Sequence, residues 1–156
     1  MPVYSAYRFY GHARCGRRNW FIEPQLDDVQ GGNDMTSESR VQNPGTNQAL
    51  NADYRVTVPT PDKGHLVPVY HANTQSCADA TFTLTNAAPQ NPTFNRGRWR
   101  VTEKKVADFL TANCLSAGLR AYVVTGVVPG NNVINNRVRV PSHYWMAFCC
   151  LDNNDQ

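Results

Sequence analysis

The tetrapeptide Asp62-Lys63-Gly64-His65 carries one of only four histidines in the chain, just after VTVPT, a segment with the look of an extended strand. An imidazole titrates near pH 6.5, so its neutral form can take a proton from a nucleophile at physiological pH. Further on, NRGRWRVTE sets Asn95, Trp99 and Glu103 at positions i, i+4 and i+8. On a helix these positions drift slowly around the cylinder and share roughly one side. A base beside amide and carboxylate oxygens is suited to proton transfer and cation-assisted chemistry. Each group alone has an ordinary reading: a surface histidine in a turn, turn and helix-start asparagines, a solvated carboxylate. Trp99 reads as core packing.

These groups need elements to hold them. The chain has 156 residues, 41% hydrophobic and 17% charged, which fits one domain with its own core. Its longest apolar run, AYVVTGVVP, is too short to span a bilayer and is interrupted by Thr125 and Gly126. A net charge of +3 is mildly basic, and five basic residues fall between Arg96 and Lys105. Such a cluster permits an anionic partner, although a solvated face is its commoner meaning. Cys15, Cys77, Cys114, Cys149 and Cys150 show no zinc-ligand spacing. Adjacent Cys149 and Cys150 cannot easily bridge each other, which makes Cys114 a candidate partner for one of them and points to an oxidising compartment. MPVYSAY has neither the charged nor the apolar region of a signal peptide.

PVYSAYRFY and NWFIEP, separated by GHARCGRR, read as an N-terminal hairpin. Residues 27–51 read as a long loop with a helical turn near the end. YRVTVPT and ATFTLTN are strand-like by β-branched content. One helix is expected after Pro92, with Thr93 as N-cap and Val106, Phe109 and Leu110 as its apolar face. RAYVVTGVV, an Asn-rich turn in PGNNVINN, and RVRVPSHYWMAFCC supply the last strands. The fold class is α+β: an antiparallel sheet, one main helix and long loops.

A histidine after a strand, a second strand, then a helix presenting Asn and Glu is the order of a ββα-metal finger. DKGH resembles the D-R-G-H signature of the DNA/RNA non-specific endonuclease family. TNAAPQNPTFNRGRWRVTE is similar to that family's N-x-x-P-Q-x-x-x-x-N-x-G-x-W-x-x-x-E segment, and RNW with EP resembles its R-x-W-x-x-D/E-P entry. VTGVVPG and VPSHYW resemble later strands of the family. PVYSAYRF, NWFIEPQLDD, QALNADY, ATFTLTNAAP and AFCC resemble the animal secreted subgroup of endonuclease domain-containing proteins.

The resemblance implies hydrolysis of phosphodiesters in DNA and RNA with little sequence preference, outside the cell and without a membrane span. It implies His65 as general base, and Asn95 as the protein ligand of Mg²⁺ with Mn²⁺ or Ca²⁺ as substitutes. Glu103 would hold the waters around the ion, while Asn86 and Arg18 match an active-site Asn and Arg, the latter contacting phosphate. Mg²⁺ keeps much of its hydration shell, and a guanidinium gives phosphate a bidentate partner. Arg96, Arg100 and Lys104 form the adjacent row where a polyanion would pass. Lys63 departs from the usual Arg, and Arg17 beside Arg18 leaves open which guanidinium faces the site. A single endonuclease domain over residues 1–156 is expected to begin inside the family domain and to stop before its closing strand and helix. Two rivals stand beside the enzyme: a catalytically degenerate nucleic-acid or protein binder, and a disulfide-stabilised extracellular binding module.

Overall fold

A computed structural model describes residues 1–55 and 59–154. Its main sheet has three antiparallel strands in the order β1-β4-β5, with β1 at Tyr4–Phe9, β4 at Arg120–Ile134 and β5 at Val138–Leu151. A smaller antiparallel pair joins β2, Asp62–His65, to β3, Ala87–Gln90. A short helix α1, Gln75–Ala80, precedes β3. After β3 come α2 (Pro92–Phe94), a π-helical turn (Asn95–Trp99) and α3 (Arg100–Asn113). Short 3₁₀ turns fill much of the remainder. The α+β class with one main helix is as the sequence indicates.

The N-terminal hairpin is not formed. β1 pairs instead with β4, from Tyr4 opposite Gly126 to Phe9 opposite Ala121. NWFIEP makes only isolated bridges, Phe21 to Thr83 and Ile22 to Thr36. Burial is the physical reason: Phe9 is fully buried in a cluster with Ala107, Leu110, Ala121 and Val123, a core that a local hairpin could not supply. Ile22 is buried in a different cluster, with Tyr54, Leu84 and Ala87.

ATFTLTN is not a strand either. Ala80 ends α1 and Leu84–Asn86 is a 3₁₀ turn. Its β-branched and aromatic content serves burial of Phe82 and Leu84, while their N–H groups bond Asp79 O and Phe21 O. In YRVTVPT, residues 56–58 lie outside the described residues, Tyr54 closes a 3₁₀ turn, and the strand of this region is DKGH itself. Gly64 is required there by a close approach: a Cβ would sit 2.3 Å from Gln90 Oε1 on the paired strand.

The main helix also departs in detail. Asn91, not Thr93, is its N-cap, accepting from Phe94 N–H at 3.1 Å. Gly97 lies off helical geometry at φ −104° and ψ −105°, and Arg100 N–H reaches back five residues to Asn95 O. The Asn95–Trp99–Glu103 stripe is therefore set by a π turn rather than by a uniform cylinder. On α3 the buried positions are Ala107 and Leu110, continued by Cys114 at the C-cap. Val106 packs beside them, but Phe109 is 47% exposed and meets Phe148 at the rim. Cys114 is disulfide-bonded to Cys150, tying the end of the helix to β5. β4 runs on through PGNNVI, and the reversal falls at Asn135 and Asn136, whose φ values of 49° and 52° suit a tight Asn-rich turn.

Candidate active site

Between β2 and the helix lies an open cleft of about 530 Å³. β2 contributes Asp62, Lys63 and His65; the π turn and α3 contribute Asn95, Arg96, Arg100 and Glu103; Arg17 and Trp20 come from the loop after β1. The ββα arrangement makes this convergence possible. Asp62 pairs opposite Gln90 and His65 opposite Ala87, so the strand that holds the histidine is locked to the strand leading into the helix.

Asp62 fastens the second join. It accepts from Asn95 Nδ2 at 2.9 Å and from Arg96 Nε and Nη2 at 2.8 and 2.6 Å. Burial pushes the Asp62 carboxyl up, but the bonds from Arg96 and Asn95 outweigh it and hold the group below the usual carboxylate range. With its amide nitrogen committed to Asp62, Asn95 has its oxygen as the remaining acceptor.

His65 is buried between aromatic rings, 4.7 Å from Trp20 and 4.8 Å from Phe82 by centroids. Its Nε2 is buried with no hydrogen-bond partner among the described residues. Burial, then the charge of Arg17, lowers its pKa from 6.5 to about 3, so the ring is neutral across the physiological range. Glu103 is half-buried, and burial raises its pKa to about 8. The Trp99 indole and the Arg17 guanidinium oppose that rise. Neither outweighs burial, and among the described residues the Trp99 N–H has no partner at hydrogen-bonding geometry. Trp99 is core, 5% exposed and packed near Phe94 and Tyr144.

Three of the expected residues, Arg18, Asn86 and Lys104, stand apart from the cleft. Arg18 bonds Asp79 on α1 at 3.1 Å, and Arg17 lines the cleft in its place. Asn86 is buried, its Oδ1 accepting from Val67 N–H at 2.9 Å and its Nδ2 donating to Thr81 O and Val67 O. Those bonds pin the loop that follows His65, which makes Asn86 a scaffold for the histidine. The basic row is partly neutralised: Arg96 by Asp62, and Lys104 by Asp108 at 2.5 Å, while Arg100 Nε bonds Arg96 O. Arg96 and Arg100 line the cleft; Lys104 does not.

Sequence reasoning missed one contributor, His71, while it left Arg17 open beside Arg18 and noted Lys63 only as a departure from Arg. Lys63 bonds Asn51 Oδ1 and lies 5.6 Å from the rings of Trp20 and Tyr54, a cation box a loop must close. Arg17 had only its neighbour Arg18 as a signal. His71 had none: its Nδ1 accepts from Tyr7 OH at 2.8 Å, and its Nε2–H donates to Glu103 O at 2.8 Å. The carbonyl can only accept, so the tautomer follows from the geometry. Through His71, the main sheet sets the position of the helix turn that carries Glu103.

Over residues 1–156 the sequence matches the DNA/RNA non-specific endonuclease family. The chain belongs to this family. It is 36% identical over 157 residues to the Endonuclease domain-containing 1 protein of Homo sapiens and 34% identical over 160 residues to that of Mus musculus. Each match covers 96% of this chain and 30% of the relative. To mitochondrial Endonuclease G of Homo sapiens it is 31% identical over 115 residues, 65% of this chain and 36% of that protein. The chain thus spans about 30% of the length of the first two relatives. Membership supports nuclease activity at family level. Among the described residues, no three His, Cys, Asp or Glu side chains cluster as a metal site, and no helix is long and apolar enough to cross a membrane.

Proposed function

We propose that the cleft hydrolyses phosphodiester bonds of DNA and RNA with little sequence preference, with His65 as general base. The observation that carries this reading is the convergence of an unpartnered buried imidazole nitrogen, an amide oxygen freed by Asp62 and an uncompensated carboxylate in one open, cation-bordered cleft.

The residues present fit a hard divalent cation. Asn95 Oδ1 and the Glu103 carboxyl are oxygen donors, and a bound cation would favour the ionised form that burial disfavours in Glu103. Mg²⁺ suits this sparse set, because it keeps most of its waters, and when bound it would supply Lewis-acid relief of phosphate charge and of the leaving oxygen. Asn95 would hold it directly, and Glu103 would accept hydrogen bonds from its hydrating waters. Arg17 and Arg100 would hold the phosphate from the cleft rim.

His65 would take the proton of the attacking water. Burial is the larger cause of its low pKa and keeps the ring neutral, and an anionic phosphate beside Arg17 would offset the smaller, charge-based part. Extracellular residence, proposed from the resemblance, is consistent with the Cys114–Cys150 disulfide.

Incubation of the purified protein with supercoiled plasmid and with RNA, in Mg²⁺ and in chelator, tests the proposal. Cleavage of both that chelator stops is expected. Binding without cleavage would favour a degenerate binding module, and cleavage indifferent to chelator and to His65→Ala would place the chemistry elsewhere.

A further inference from the structure

Beside the cleft lies a second hollow of about 780 Å³, bordered by the loop at His12 to Cys15, by Val69 and Tyr70, and by α3. It shares Arg17, Val69, Arg100 and Glu103 with the cleft, so the two adjoin along these residues. On its wall the exposed His12 ring is stacked on Tyr70, with centroids 4.3 Å apart and planes 22° from parallel. The loop bearing His12 is fixed by backbone bonds: Ala13 N–H donates to Ala72 O at 2.9 Å and Gly16 N–H to Gln75 Oε1 at 2.8 Å. Among the described residues, Arg14, Arg17, Arg100, Lys104 and Lys105 border the hollow against Glu103 and Asp108.

An aromatic platform inside a cationic groove is the combination that holds single-stranded nucleic acid, because cations track the phosphates while bases stack on rings. The volume suits a single nucleoside. We propose that this hollow is a nucleobase subsite for the nucleotide next to the scissile phosphate, with His12 stacking on the base and Arg14 and Lys105 meeting the following phosphate. The position next to the scissile phosphate rests on the nuclease reading of the cleft. Every base has a π face, so the subsite tolerates any sequence; a paired base is unavailable to it, so it favours single-stranded or locally unpaired substrate.

The test is fluorescence anisotropy of the protein with a short single-stranded DNA oligonucleotide in chelator, alongside oligonucleotides carrying one abasic position walked along the strand. One abasic register should bind about 5- to 150-fold more weakly. His12→Ala should lose a comparable factor on the intact strand and abolish the abasic penalty, while His12→Phe should restore both. A flat abasic walk, an unchanged penalty in His12→Ala, or no binding of the oligonucleotide would overturn the subsite. An abasic-sensitive strand that Mg²⁺ never leads the protein to cut would sink the nuclease reading and leave the base subsite standing; cutting with a flat abasic walk would do the reverse.

Discussion

Asp62 Oδ2 receives the Asn95 amide nitrogen at 2.9 Å while the same carboxylate binds Arg96 through two hydrogen bonds. The first residue of DKGH thus orients the amide that the reading assigns to the cation, and it restrains the first cation of the basic row. Both effects follow from one side chain at the mouth of the cleft.

Replacing Asp62 with Ala should release Asn95 to rotate. The Mg²⁺ concentration for half-maximal cleavage should rise about 10- to 100-fold, as losses of groups behind a ligand do. Titration of activity with Mg²⁺ measures this, and an unchanged midpoint would remove Asp62 from the role.

His65→Ala should lower the cleavage rate by roughly 10² to 10⁴ with little change in the Mg²⁺ midpoint, since a general base need not touch the ion. Stability gives an independent check. The folded pKa of His65 is depressed from 6.5 to about 3, so its contribution is present above 6.5 and is lost as pH falls from there through about 3. Denaturant melts of His65→Ala should show a shallower loss of stability across that acid window than wild type.

For Glu103 the sign is opposite. Its folded pKa is raised from 4.5 to about 8, so its contribution is present below 4.5 and is lost as pH rises through about 8. Without metal, Glu103→Gln should therefore gain stability over wild type at pH 9 relative to pH 6. Mg²⁺ binding should release close to one proton per ion at pH 7 in wild type and none in Glu103→Gln, read by calorimetry in buffers of different ionisation enthalpy.

The basic row should contribute unequally. A phosphate contact on duplex DNA carries a salt-dependence slope of about 0.9, and Arg100→Ala should lower the slope by close to that amount. Arg96→Ala and Lys104→Ala should each lower it by less, because Asp62 and Asp108 already partner them. Equal losses at all three positions would show that the ion pairs open on binding.

Breaking the disulfide with Cys150→Ser should cost about 4 kcal/mol by the loop-closure estimate for a 36-residue separation. In wild type, alkylation under denaturing, non-reducing conditions should label Cys15, Cys77 and Cys149 and spare Cys114 and Cys150.

The chain by itself determined the chemistry-bearing types and their order: DKGH, then the asparagine and glutamate of one helical segment, then the paired β4 and β5. These are local facts, because a π-turned helix still puts Asn95 and Glu103 on the cleft side and a long apolar alternation still makes a strand. It also offered Cys114 as a candidate partner for one of the adjacent Cys149 and Cys150. What tertiary structure alone decided was long-range. β1 found β4 rather than its neighbour in sequence, because Phe9 needed the core under α3. Arg17 rather than Arg18 came to the cleft, since Asp79 on α1 captured the second guanidinium. Asn86 was spent on the loop after His65, and His71 was drawn between Tyr7 and Glu103 O. The pKa values moved for the same reason: burial removes water that would stabilise charge, and burial is a property of the assembled chain rather than of any segment of it.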